Sequence, residues 1–306
     1  MMRRDESSAR QHRLRVRNGR EVPRGASWWR QIGWRHVVGV IVLMFMLFPV
    51  LYVVSASVNP LGSVSGGSLI PKSFTIEFYR TMVDGSQYPF MRWYGNTLVV
   101  ALIVATCEVI FSTMAAFSFS RLRFRGRRCG LLSVLLIQMF PQFLSAVALF
   151  TMMSQLGRVL PQFGLNTLAG YGLVLMGGTM GNVWLMKGFF DSIPHEIDEA
   201  AEIDGAGHVT IFVKVLLPLV TPILAVNFLL TFIHVIGEYM LAAIFLTDDK
   251  VKTLAVGLYG IIEGDQSGNL GLFCAGSILL CIPVVLLFLY LQKYITSGMT
   301  AGAVKS

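Results

Sequence analysis

The chain has 306 residues, 54% of them hydrophobic and 14% charged, with a mean hydropathy of +0.64 and a formal net charge of +8. Soluble domains carry roughly 25% charged residues, and the charges present here avoid six windows. Those windows are 36–57, 95–119, 131–153, 168–186, 216–240 and 270–291, and only Glu108 and Glu238 carry charge inside them. A soluble globular domain and a disordered chain are excluded, and an outer-membrane barrel, with strands of about 10 residues that alternate in polarity, does not fit either.

In chain order, residues 1–35 form a tail with 10 Arg, and Trp28, Trp29 and Trp34 stand where an interfacial aromatic anchor belongs. Each window then offers 19 to 25 residues, enough for a helix to cross a hydrocarbon core of about 30 Å. A helix satisfies its own backbone hydrogen bonds there. The expected fold is all-α and integral to the membrane, with six transmembrane helices in a domain spanning 36–291. The first window begins too far from the start and runs too long for a cleavable signal peptide. It is expected to stay as the first span.

Between the first two windows, residues 58–94 hold Gly62, Gly66, Gly67 and Pro71, then Phe74, Phe78 and Tyr79, with room for a short helix around 75–84. The next connection is basic, with Arg121, Arg123, Arg125, Arg127 and Arg128. Residues 154–167 make a short turn, and 241–269 include a stretch, Thr253–Ile262, suited to a brief amphipathic or re-entrant piece. The chain closes with a tail, 292–306, rich in small residues. With both termini cytoplasmic, 19 basic residues face the cytoplasm and 6 face out, as the positive-inside rule requires. This accounts for the +8 charge together with attraction to anionic membrane lipid, and no nucleic-acid partner is expected. Cys107, Cys129, Cys274 and Cys281 show no metal-ligand spacing, and no bound metal is expected.

The connection 187–215 breaks the pattern. It carries Asp191, Glu196, Asp198, Glu199, Glu202 and Asp204 against Lys187 and Lys214 alone. A helix lying on anionic lipid should be basic, so this one would be repelled. Pro194 suits a first turn, the early acids favour the helix dipole, and Gly205 suits the C-terminal stop. Ile197, Ala200, Ala201 and Asp204 recur at helical spacing. Two readings follow: a solvated charged loop, or a short acidic helix that docks in a basic cleft of another cytoplasmic protein.

Residues Glu199–Pro218 read EAAEIDGAGHVTIFVKVLLP. This segment resembles the EAA loop of binding-protein-dependent ABC importer permeases, matching at Glu199, Ala200, Ala201, Gly205, Val215, Leu217 and Pro218. Val215 stands where Ile is commoner. Ile137–Phe150, Leu160–Tyr171, Trp184–Pro194 and the final GMTAGAVKS resemble the smaller permease of maltose/maltodextrin-type importers, and the likeness covers roughly 90–306. The Arg-rich tail lies outside it.

The resemblance implies a carbohydrate importer subunit in the bacterial cytoplasmic (inner) membrane, moving a maltodextrin-like oligosaccharide by alternating access. Another glycan or polyol, such as trehalose, a galacto-oligosaccharide or glycerol phosphate, is the alternative substrate. The implied partners are a second permease subunit, an ATPase homodimer and an extracytoplasmic solute-binding protein. No phosphate-cradling GxxxxGK[ST] occurs, so this chain is not expected to be an enzyme or to hold a cofactor; ATP and Mg belong to the partner ATPase. In the coupling loop, 191–218, Glu199 would pair with cationic groups of the ATPase cleft, Ala200 and Ala201 would permit close packing, and Gly205 would allow the turn. Asp204 and Pro218 complete the interface, and Thr300, Gly302 and Lys305 resemble the family ending that reaches the ATPase dimer.

Inside the windows, Glu108, His234 and Glu238 are the polar leads, with His234 and Glu238 four apart on one helical face. They either border the translocation path or take a structural role, an interhelical hydrogen bond or, for Glu238, a place near the outer surface. A secondary transporter, typically built from repeats with coupling-ion ligands, and a non-transporting receptor or scaffold are the rival classes. Neither gives the acidic loop a task.

Overall fold

The computed structural model describes residues 14–17, 20–23, 28–61, 71, 73–139, 142–264 and 269–303. Gly62, Gly66, Gly67 and Lys305, all noted above, lie outside them.

The body is helical, as expected. In the tail the structure adds a two-stranded antiparallel hairpin, β1 (Leu14–Arg17) and β2 (Arg20–Pro23), with Arg17 paired to Arg20. The connecting sequence is Asn18-Gly19, a pair that favours two-residue hairpin turns. This short-range signal is independent of hydropathy.

Helix α1 (Trp34–Val58) follows, with Pro49 inside it. Nearly all its apolar side chains are exposed within the chain, which suits a helix whose solvent is lipid. Its last turn packs inward through Ser55, Ala56 and Ser57, where the Ser57 hydroxyl accepts a 2.8 Å bond from Tyr79. Tyr79 belongs to α2 (Glu77–Asp84), which is ended by Gly85 at φ +68°.

Helix α3 (Phe90–Arg121) is the central element. It runs through three apolar clusters in turn. Phe90 and Trp93 pack with Met82, Leu254 and Leu258 at one end. Val100, Ala101 and Val104 pack with Tyr171, Phe232 and Val235 in the middle. Ala116 and Phe117 pack with Met186, Phe190, Ile211 and Leu216 at the other end.

The next helices are α4 (Arg127–Gln138), α5 (Gln142–Val159), α6 (Leu168–Gly177) and α7 (Asn182–Ser192). The third apolar window is therefore shared between α4 and α5. The fourth is divided by a 3₁₀ segment, Gly178–Gly181. Gly177, Gly178 and Gly181 supply the reason, since glycine is the weakest helix former after proline. Gly157 and Gly164 let α5 and the turn after it touch backbone to backbone; a Cβ on Gly164 would lie 2.7 Å from the Cα of Gly157.

After α8 (Glu196–Ile203), a turn at His208–Thr210 and a π-helical segment, Ile211–Leu216, lead into α9 (Leu217–Gly237). Pro218 has no N–H to donate, which frees the Lys214 carbonyl where the backbone is wide. The chain ends through α10 (Met240–Phe245), α11 (Leu254–Gly264) and α12 (Leu270–Ala303). Helix α9 packs against α3 and α12, and α12 against α1. Among the described residues, four helices are long and apolar enough to cross a membrane: Trp34–Val58, Phe90–Arg121, His208–Gly237 and Leu270–Ile295.

Candidate functional site

Two places gather the polar residues of interest. The first is the acidic connection. Helix α8 starts behind Pro194, with the His195 carbonyl accepting from the Asp198 and Glu199 amides at 3.0 Å each. It stops at Gly205, whose φ of +83° is one that only glycine adopts without strain. The Ala206 amide donates back to Ala201 and the Gly205 amide to Glu202, both at 2.9 Å. These two bonds and the left-handed glycine are a Schellman cap, which explains why Gly205 stands six residues after Glu199.

The helix has two faces. Ala201 and Ala206 turn inward and pack on the cluster of Phe190, Ile211 and Leu216. Glu199, Ala200, Asp204 and Gly205 face out, so the two alanines of the motif lie on different sides. Beside the exposed acids stand two apolar side chains, Ile203 at 87% exposure and Val209 at 77%. Sequence reasoning counted the acids and missed these two residues, although Ile203 precedes the glycine stop in the motif itself.

Asp198 does not belong to the outward acids. Its carboxylate is held by Arg121, the last residue of α3, at 2.6 Å. The same guanidinium donates to the Ile193 carbonyl at 2.8 Å and meets His195 Nε2 at 3.5 Å. Next to it, Ser120 donates to Asp191 at 2.6 Å, and Lys187 pairs with the other oxygen of Asp191. Partial burial works to raise the Asp191 carboxyl, but the bonds from Lys187 and Ser120 outweigh it and hold it below the ordinary carboxylate range. Arg127 donates to the carbonyls of Phe119 and Ser120, at 2.7 and 3.1 Å. Arg121, one of the arginines that the sequence counts for topology, braces the acidic connection against the end of α3, while Arg127 holds the last carbonyls of α3 itself.

The second place is a cavity of about 280 Å³ between α3, α7 and α9, lined by Glu108, Gly178, Asn182, Thr231 and His234 among others. Glu108 is 2% exposed; its carboxylate accepts from the Asn182 amide and is bonded by Thr231. Asn182 opens α7 directly after the 3₁₀ break, so the glycine segment delivers an amide to a buried carboxylate. Nearby, Asn227 donates to Ser112 at 3.2 Å, joining α9 to α3. Asn182, Thr231 and Asn227 are polar residues in apolar windows, a signal the sequence carried.

Glu238 does not join this cavity. Helix α9 ends at Gly237, and Glu238 turns away at ψ 116°, so the four-residue spacing from His234 no longer places the two on one face. Its oxygens accept from the Leu241 and Ala242 amides at 2.7 and 2.9 Å and from the Tyr171 hydroxyl at 2.5 Å. It caps the N-terminus of α10 and ties it to α6. The interhelical hydrogen bond, one of the two roles left open above, is what the geometry gives this residue. Of the tail residues, Thr300 and Gly302 lie on the last turns of α12.

Four described helices long and apolar enough to cross a membrane, with an acidic helix packed against one of their apolar clusters, are the build of a multi-pass membrane protein. A family model described as "Binding-protein-dependent transport system inner membrane component" matches residues 108–301. The maltodextrin transport system permease protein MdxG of Bacillus subtilis is 40% identical over 260 residues, covering 85% of this chain and 91% of its own. The maltose/maltodextrin transport system permease protein MalG of Yersinia pestis is 39% identical over 281 residues, covering 88% and 92%. Among solved structures, a bacterial ABC transporter involved in the import of the acidic polysaccharide alginate aligns with a TM-score of 0.71 at 24% identity, over 89% of this chain and 99% of that one. The chain belongs to the family of binding-protein-dependent transport system inner membrane components. It is a permease subunit, a membrane transport component and not an enzyme.

Proposed function

We propose that the chain is one of two permease subunits of an ATP-driven importer of maltodextrin-like oligosaccharides, with α8 as the element that couples it to an ATPase homodimer. The observation that carries the reading is the outward face of α8. Glu199, Ala200 and Asp204 surround the exposed Ile203 on a helix whose inner face and C-terminal cap are already satisfied. A charged rim around an apolar centre is the composition of a docking patch.

The six apolar windows are read as six spans, the third made from α4 and α5 and the fourth from α6, the 3₁₀ segment and α7. Non-helical backbone at membrane depth is tolerated where it is buried in protein or lines a cavity, and Gly178 lines one here. The basic tail, the Arg121–Arg128 connection and α8 then share the cytoplasmic side with both termini. Glu108 and His234 border the translocation path. Thr300, Gly302 and Lys305 extend toward the ATPase pair, which supplies ATP and Mg chemistry. A solute-binding protein on the opposite side delivers the sugar.

The test is uptake of labelled maltodextrin by vesicles holding the assembled complex. Glu199→Lys reverses the rim charge and Gly205→Pro removes the cap, since proline cannot adopt φ +83°. Both variants are expected to insert in the membrane and to lose most ATP-driven uptake. Normal uptake by both would sink the coupling role of α8.

A further inference from the structure

The coupling reading leaves open what α8 pushes against. Helices α7 and α9 flank it in sequence, yet its directional contact is with neither. Ala201 and Ala206 meet their apolar cluster through dispersion and burial, which are non-directional and let surfaces slide. The Arg121–Asp198 pair is different: the two side chains are 5% and 13% exposed and 2.6 Å apart. The guanidinium is planar and presents its donors in a fixed fork: one terminal nitrogen donates to the Ile193 carbonyl at 2.8 Å and the other meets His195 at 3.5 Å, while Nε lies against Asp198 as a close ion pair without hydrogen-bond geometry. It therefore holds the start of α8 by charge and the chain just before it by direction. The second carboxylate oxygen, Oδ1 of Asp198, is buried without a hydrogen-bond partner, and His195 Nδ1 stands 3.7 Å from the other oxygen, so Arg121 is its permanently charged partner.

We propose that Arg121 is a positioning residue that carries displacement of α8 directly into α3. Arg121 ends a continuous helix whose residue 108 lies about 20 Å further along its axis, in the polar cavity. Movement of α8 against Asp198 would tilt or shift α3 as a rod. The Glu108–Asn182 and Glu108–Thr231 contacts at the cavity would register that shift. The Ser120–Asp191–Lys187 chain, one residue back, keeps α7 with the end of α3, so the cytoplasmic ends of the two helices move together.

This inference rests on the reading of α8 as the ATPase-coupling element, and the experiment separates the two. Wild-type, Arg121→Ala, Arg121→Lys, Asp198→Asn and Glu199→Lys complexes are purified with their ATPase subunits and reconstituted in vesicles. Three quantities are measured: ATPase retained, ATP hydrolysed, and labelled maltodextrin imported per ATP. For Arg121→Ala we expect the ATPase to be retained and hydrolysis to continue, with import per ATP down by about tenfold, the range of a coupling free energy. Asp198→Asn, which keeps the side-chain shape, should show the same split, and Arg121→Lys should fall between, because a point charge reaches Asp198 but cannot reproduce the fork. Import per ATP at the wild-type value in Arg121→Ala and Asp198→Asn would overturn the proposal. So would retention, hydrolysis and import falling in proportion, since that is what a merely structural contact gives. If Glu199→Lys is impaired while the Arg121 variants are normal, the coupling reading stands and the route through Arg121 falls.

Discussion

Identical residue types serve opposite ends in this chain, and burial separates them. Asp198 and Glu199 are neighbours on one short helix, yet the first is buried against Arg121 and the second is exposed. Glu108 and Glu238 both sit in apolar windows, but one lines a cavity while the other caps a helix. Glu238→Ala removes the acceptor for two backbone amides and leaves the buried Tyr171 hydroxyl unmatched. A loss of about 1–2 kcal/mol in stability is expected from the cap alone. Glu238→Gln, which keeps an acceptor oxygen, should retain most of it. Thermal unfolding of the solubilised complex checks the order; equal stability of the Ala variant and the wild type would remove the capping role. At this scale the short helix and its glycine stop were legible because they have local causes: the dipole favours early acids, and the cap requires glycine. The partner of Asp198 was not legible, because Arg121 lies 77 positions away and looks like any other positive-inside arginine.

Elements follow their apolar windows where nothing interrupts the helical bonding, Pro49, Pro222 and Pro283 staying inside continuous helices, and depart from them at the glycine cluster. The windows around α1, α3, α9 and α12 lack glycine runs and gave continuous helices. The fourth did not, because Gly177, Gly178 and Gly181 remove the side chains that would hold a helix together. Hydropathy averages over such a break and cannot see it. The short pieces α2 and α11 lie where the sequence left room for them, and they are fixed by close approach. Gly257 of α11 sits under the ring of Trp93, where an added Cβ would come within 2.1 Å of the indole. That ring is 5% exposed and anchored by a 2.9 Å bond from its N–H to the Asp249 carbonyl, so it has nowhere to go. Gly257→Ala is expected to cost about 1–3 kcal/mol, the range for overpacking a tight core, and to lower the unfolding temperature of the complex. A variant as stable as wild type would show that α11 moves freely on α3.

At the scale of the whole molecule, the basic and acidic segments divide the work. Arginines in the tail and around the end of α3 set the orientation that we propose, and one of them, Arg121, also braces the acidic helix. The acids that remain outside that brace, with Ile203 and Val209 beside them, form the exposed face that we propose meets a second protein. Helix α3 joins this face to the polar cavity in one span. Transport by such a device needs ATP spent on the cytoplasmic side and sugar presented on the other. The direct measurement is accumulation of labelled maltodextrin in vesicles containing the assembled complex, with ATP and a solute-binding protein on their opposite sides. Accumulation above the external concentration that stops when ATP is withheld or the binding protein omitted is the expected result. Accumulation that continues unchanged without ATP would contradict the account.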